Sequence, residues 1–141
     1  MEFDRITIEE QQLKEIFDAY NDAIFIAVSP SCNIQKKKGN YRSALIYHKY
    51  KKVYTGEIEN ITSANKCALY GLIETATHIK EGKDIVLLVG GSFGFKKAIK
   101  YAGVNEGLWN ELFTILESIG CEKITEVLVK NGGFRLACIC R

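Results

Sequence analysis

Cysteine and histidine, the side chains that form structural zinc sites, are few and scattered along this chain of 141 residues. The five cysteines show no ligand spacing beyond the pair Cys138 and Cys140, and His48 and His78 lie far from that pair in sequence. Structural zinc sites need four Cys or His ligands at recurrent short spacings. We therefore predict no metal site and interpret the cysteines as free thiols in a reducing cytoplasm.

Candidate nucleophiles follow the apolar run at residues 23–28. Ser29 and Ser31 would need a neighbouring base, but neither histidine falls near them in any motif. Cys32 beside them is reactive only if a neighbour lowers the pKa of its thiol, and the sequence names no such neighbour. No nucleophilic centre is predicted here.

A glycine-rich segment, Gly90-Gly91-Ser92-Phe93-Gly94, joins a predicted strand to a predicted helix. Backbone amides in such a junction can bind phosphate. The segment lacks the Lys-Ser/Thr of a P-loop, and its glycine spacing is not that of a dinucleotide site. A tight turn is the favoured interpretation, with nucleotide binding as the alternative.

Lysine clusters are the remaining sign of a binding surface. The formal net charge of +2 is too small to indicate nucleic-acid binding by itself. Clustered Lys side chains with aromatic neighbours can nevertheless contact phosphates and sugars. The alternative is ordinary solvated lysine. The clusters are Lys36–Lys38, then Lys49, Lys51 and Lys52 around Tyr50, and finally Lys96, Lys97 and Lys100.

Alternating helix and strand patterns place these residues in one α/β domain. The chain is long enough, with 47% hydrophobic residues, to bury its own core. The continuous apolar runs 23–28 and 84–89 predict strands buried on both faces. Residues 62–76 predict a helix capped by Thr62 or Ser63. Further predicted elements are helices at 7–20, 93–101 and 106–119, a hairpin of 41–48 with 53–57, a strand at 124–130, and an edge strand at 134–140 after Asn131-Gly132.

No signal peptide and no apolar run of membrane-spanning length are found in the sequence. We therefore expect a soluble, cytoplasmic protein without membrane association.

The order of these elements resembles that of the ribonuclease H family. It is three strands, then a helix, a strand, helices and a strand. Short motifs at matching places support the resemblance over residues 23–131. They are Val28-Ser29-Pro30-Ser31-Cys32 after the first strand, Thr62 to Leu69 opening the first helix, Gly91-Ser92 ending the fourth strand, Leu108-Trp109 opening a later helix, and Val129-Lys130 ending the fifth strand.

The resemblance implies a five-stranded mixed sheet with flanking helices, in one domain spanning residues 1–141. To this the chain adds an N-terminal helical extension (1–22) and a C-terminal tail strand (132–141). The amphipathic stripe of residues 13–20 needs an apolar surface. We expect it to pack where the family's final helix would lie, or on a partner subunit.

Members of that family cleave the RNA strand of RNA–DNA hybrids with two magnesium ions held by carboxylates. The resemblance places Ser29, Ala68 and Gly91 where three of those carboxylates stand, and the mobile-loop histidine near Gly132. A hydroxyl, a methyl and a hydrogen cannot hold two divalent cations. The final carboxylate-bearing helix is also missing. A magnesium site is expected only if carboxylates from Glu57, Glu59, Glu74 or Glu126 form a new one.

The resulting expectation is a catalytically degenerate ribonuclease H-like protein that binds an RNA–DNA hybrid or another structured nucleic acid. One alternative is a protein-interaction or homo-oligomeric module, and a second is a nuclease with a rebuilt metal site. The residues expected to contact nucleic acid are Lys36, Lys37, Lys38, Asn65, Lys66, Lys96, Lys97, Lys100 and Trp109.

Overall fold

The computed structural model describes residues 1–91, 94–100 and 103–130 as a mixed sheet with helices on both faces. In chain order the elements are β1 (Glu2–Ile8), a 3-10 turn (Glu10–Gln12), α1 (Leu13–Ala19), β2 (Ile24–Asn33), β3 (Lys38–Tyr47), β4 (Tyr50–Glu59), α2 (Ala64–Thr77), β5 (Ile85–Val89), α3 (Phe95–Ala98), α4 (Glu106–Ser118) and β6 (Lys123–Val129).

The strands lie in the order β1-β6-β5-β2-β3-β4. The first four are parallel to one another, and β3 and β4 complete the sheet as an antiparallel hairpin next to β2. The predicted α/β architecture with a mixed sheet and flanking helices is confirmed. All five strands predicted for this sheet are present, and the described residues form a sixth, β1, that the sequence analysis does not predict.

The additional strand lies where the sequence predicts the start of a helix. Instead of a helix over 7–20, residues Glu2–Ile8 pair in parallel with β6, and α1 covers only Leu13–Ala19. Ile6 and Ile8 pack on one face of the sheet and Phe3 on the other, the two-residue period of a strand. The following turn is fastened by the Glu9 amide, which donates to Gln12 Oε1 at 2.8 Å.

Strand β2 is longer than predicted and continues through Pro30 to Asn33. The Ile24 amide points towards β5, where it donates to the Asp84 carbonyl at 2.9 Å. Backbone N–H groups alternate in direction along a strand, so an N–H at position 30 would also point towards β5. However, β5 pairs with β2 only as far as Ala27. The N–H that proline lacks therefore has no neighbouring strand to meet, and Pro30 is tolerated.

Each face of the sheet has its own hydrophobic layer. On one face, called the α2 face, α2 and α4 pack over Ile26, Val28 and Leu87. On the opposite face, called the α1 face, Ile16 of α1 packs with Phe25, and the rings of Phe17 and Phe25 are 4.5 Å apart. The predicted apolar stripe of the N-terminal helix thus covers the sheet of its own chain.

The predicted tail strand (132–141) lies outside the described residues. The same holds for Ser92 and Phe93 of the glycine-rich segment. Among the helices of the described part, none is long and apolar enough to cross a membrane.

Removing the Ile16 side chain tests the packing of α1. We expect Ile16→Ala to lower the free energy of unfolding by about 2–4 kcal/mol, because it opens a cavity under α1. Urea unfolding followed by the fluorescence of Trp109, the only tryptophan, measures this. The control is Glu15→Ala on the exposed side of α1, expected to stay within about 0.5 kcal/mol of the unsubstituted protein. Equal stability of the two variants would contradict the packing.

Candidate nucleic-acid interface

One end of the sheet collects most of the predicted contact residues. Strands β2, β5 and β6 are parallel, and β4 runs in the same direction because it is two antiparallel steps from β2. Their carboxyl ends therefore lie along one side of the sheet, called here the carboxyl edge. The turn after β2, the start of α2 after β4 and the start of α3 after β5 all follow from this edge.

The turn between β2 and β3 presents the first lysine cluster. The Lys36 amide donates to Asn33 Oδ1 at 3.1 Å, and Lys37 adopts a left-handed backbone with φ +53°. The Ile61 amide donates to the Lys37 carbonyl at 3.0 Å, which fastens this turn to the segment that enters α2. Lys36, Lys37 and Lys38 are all exposed.

Helix α2 begins at the same edge. The Lys66 amide donates to Ser63 Oγ at 3.2 Å, so Ser63 is the predicted cap. Asn65 and Lys66 are exposed in the first turn. Tyr70, one turn later, is 40% exposed and lies beside Lys66 on the helix surface. The sequence analysis missed Tyr70, although its spacing of four residues from Lys66 on a predicted helix could have indicated it.

Helix α3 supplies the remaining lysines. Phe95 and Ala98 are buried, so Lys96, Lys97 and Lys100 are left on the exposed side. Gly94 before the helix has φ +88°, a left-handed conformation suited to glycine. The helix is a single turn, Phe95–Ala98, shorter than the predicted 93–101. The carboxyl edge therefore carries lysines from three separate elements.

Acidic side chains interrupt this basic surface at the hairpin. Lys38 Nζ lies 3.8 Å from Glu59 Oε1, with both side chains largely exposed. Glu57 and Glu59 also line an adjacent groove of about 300 Å³. These carboxylates would repel a phosphate, so the candidate basic surface is limited to the exposed lysines of the turn after β2, α2 and α3.

Trp109 is not accessible in this interface. The residue is only 1% exposed, and its ring packs against Phe95 and Phe113 at centroid distances of 5.4 and 5.7 Å. The prediction that Trp109 contacts nucleic acid is wrong for this reason. Its position in the first turn of α4 made a surface location plausible, but the apolar face of that helix turns the indole into the core.

Two of the three degenerate positions, Ser29 and Ala68, lie on opposite faces of the sheet. Ala68 is fully buried on the α2 face, where Val28 packs with it in the same layer. Ser29 is the next residue of β2 and therefore projects to the α1 face, where it is exposed. The neighbour of Ser29 that lies in the same layer as Ala68 is therefore the apolar Val28. Gly91 is half-buried, two residues beyond the end of β5.

The carboxylates considered for a rebuilt site have other partners or are solvated. Tyr41 Oη donates to Glu74 Oε2 at 2.6 Å, and Arg5 Nε lies 3.2 Å from Oε1 of the buried Glu126. Glu57 and Glu59 are exposed on the hairpin. Within residues 1–91, 94–100 and 103–130, no three His, Cys, Asp or Glu side chains come together where they could hold a metal ion.

Comparison of the sequence with protein-family models and with curated proteins gives no match.

The Tyr41–Glu74 hydrogen bond gives a test at alkaline pH. Burial, followed by the bond to Glu74, raises the pKa of the Tyr41 phenol well above that of an unfolded tyrosine. The folded state thus holds the Tyr41 proton more tightly, so its contribution to stability is complete below about pH 10 and is lost as the pH rises further.

We expect Tyr41→Phe to lower the free energy of unfolding by about 1 kcal/mol at pH 8. The difference from the unsubstituted protein should shrink above about pH 10, because only the latter loses this contribution. Urea unfolding at a series of pH values measures both. A difference that stays constant up to pH 11 would show that Tyr41 titrates as it does in the unfolded chain.

Proposed function

We propose that this protein is a catalytically degenerate, ribonuclease H-like module that binds nucleic acid at its carboxyl edge. The observation that carries the proposal is the convergence of Lys36–Lys38, Lys66 and the α3 lysines, distant in sequence, on one edge of the sheet. Lysines on rigid, neighbouring elements can neutralise successive phosphates of one strand or duplex.

The ribonuclease H resemblance is supported by the order of elements after α1. Strands β2, β3 and β4, helix α2, strand β5, helices α3 and α4, and strand β6 follow in the sequence that the resemblance predicts. The Ser63 cap and the start of α2 also fall where the corresponding motif predicts a helix.

Binding without cleavage is the function that the described residues fit best. Magnesium-dependent hydrolysis needs anionic oxygens around the ions. Next to Ser29, in the middle of β2, the α2 face offers Val28 and Ala68 instead, both apolar. An RNA–DNA hybrid is the first substrate to test because the resembled family binds it, and other structured nucleic acids come next.

The protein-interaction alternative has less support. Its N-terminal helix was one proposed contact surface, but the apolar stripe of α1 packs on the sheet of its own chain. The second surface expected for such a module is the free edge of the predicted tail strand, which lies outside the described residues. Mass measurement in solution tests this alternative directly, because a self-associating module would have a mass that rises with concentration.

The binding proposal is tested by fluorescence anisotropy with labelled RNA–DNA hybrid, duplex DNA and single-stranded RNA over a salt series. We expect the affinity for at least one of these probes to fall steeply with salt, because lysines that bind phosphates release counterions from the nucleic acid. In the triple variant Lys36→Ala/Lys66→Ala/Lys97→Ala, the slope of log K against log salt should decrease by about 2–3.

The matched control is the triple variant Lys49→Ala/Lys52→Ala/Lys80→Ala. It removes the same charge from exposed positions at the opposite end of the sheet, beside the β3–β4 turn and after α2. Its salt slope should equal that of the unsubstituted protein. Equal effects of the two triples would indicate only a general charge contribution, and no affinity at low salt for any of the three probes would refute the proposal.

A further inference from the structure

Two cysteines that are distant in sequence come together at the carboxyl edge. Cys32 lies near the end of β2. Its side chain points to the α2 face, as does that of Val28, because residues four apart in a strand lie on the same face. Cys67 lies in the first turn of α2, the helix that covers this face. Cys67 is fully buried, whereas Cys32 is half-exposed.

Gly39 provides the space in which the two sulfur atoms approach. Gly39 is the partner of Cys32 in the β2–β3 register, and side chains of such partners project to the same face about 5 Å apart. A Cβ added to Gly39 would overlap Cys67 Sγ. The Cys67 sulfur therefore occupies the place of the side chain that would stand opposite Cys32.

The immediate surroundings hold both side chains in position. Burial, and then interactions with the Cys32 thiol that include a hydrogen bond, raises the pKa of Cys67. Cys32 Sγ also contacts the Ile61 carbonyl oxygen at 3.7 Å, in the segment that enters α2. The side chain of Cys32 is thus held between the thiol of Cys67 and the backbone in front of the helix.

We propose that Cys32 and Cys67 form a redox-active pair that peroxide converts into an intramolecular disulfide. This proposal is independent of nucleic-acid binding. It assigns to the half-exposed Cys32 the first contact with the oxidant and to the buried Cys67 the second, resolving step.

The reaction balances with hydrogen peroxide as the oxidant. The Cys32 thiolate attacks one oxygen of hydrogen peroxide, and the O–O bond breaks. The products are the sulfenic acid of Cys32 and a hydroxide ion, which takes up the proton that the thiol released and becomes water. The Cys67 sulfur then attacks the Cys32 sulfur, the S–O bond breaks, and the hydroxyl leaves as water with the Cys67 proton. Two thiols are oxidised to one disulfide, and one hydrogen peroxide is reduced to two waters.

Peptide mapping of the unsubstituted, full-length protein tests the proposal. After treatment with one equivalent of hydrogen peroxide, the remaining thiols are alkylated and the protein is digested with trypsin. Cleavage after Lys14, Lys36, Lys66 and Lys80 places the two cysteines in the peptides 15–36 and 67–80, and the other three cysteines in different peptides. We expect these two peptides to be joined, lighter by two hydrogens than their sum, and to be separated by dithiothreitol.

Thermal unfolding gives a second measurement. The disulfide would close the chain between positions 32 and 67, which restricts the unfolded state. We expect the peroxide-treated protein to unfold about 5 °C higher than the reduced protein, with the increase removed by dithiothreitol. The control variant Cys121→Ser should retain both the joined peptides and the increase, whereas Cys32→Ser should lose both.

The opposite outcomes are equally clear. Peptide 15–36 carrying sulfinic or sulfonic acid, with 67–80 alkylated and unlinked, would show that the two sulfurs do not react with each other. Either peptide joined to one that contains Cys121, Cys138 or Cys140, or joined between two chains, would also overturn the assignment.

Discussion

Burial of the central strands on both faces is the constraint on which the rest of the structure depends. Every residue of β5 is buried, and so are the residues of β2 from Ile24 to Val28. Neither face of the sheet can be left to water, so each needs its own layer of helix. Helices α2 and α4 supply one layer, and the short helix α1 supplies the other.

The α2 layer is fixed to the hairpin by one aromatic side chain. The ring of Tyr41 lies between Gly56 of β4 and Gly71 of α2, where a Cβ on either glycine would overlap it. The hydroxyl of the same residue bonds Glu74 one turn further along α2. The buried hydroxyls of Ser43 in β3 and Thr75 in α2 form a hydrogen bond of 2.5 Å, so this strand and this helix are also joined by a polar contact. This rigid connection sets the position of the lysines in the turn after β2 relative to those of α2.

Much of the fold follows from local patterns in the sequence. The run 84–89 predicted β5 because five apolar side chains in succession are typical of a strand with two buried faces. The alternation around residues 41–57 predicted the hairpin, and Ser63 the start of α2. Each of these signals is contained within about a dozen residues.

Other features depend on contacts that no local pattern contains. Most residues of β1 are exposed, so its sequence shows no clear alternation of apolar and polar side chains. The strand is recognised only from its pairing with β6. The face on which Ser29 lies follows from the register of β2, which a motif match does not give. The proximity of Cys32 to Cys67 depends on the absence of a side chain at Gly39, and the burial of Trp109 depends on its neighbours Phe95 and Phe113.

The parallel pairing of β1 with β6 has a consequence for the order of folding during synthesis. Arg5 and Glu126, which meet across this pair, are separated by 121 positions in the chain. During translation β1 emerges 121 positions ahead of β6, its only pairing strand among the described residues. Contacts between such distant segments form slowly, because a long loop must close before they contribute any stability. The nascent chain therefore carries β1 unpaired while the intervening residues are translated, and β1 can join the sheet only when β6 has emerged.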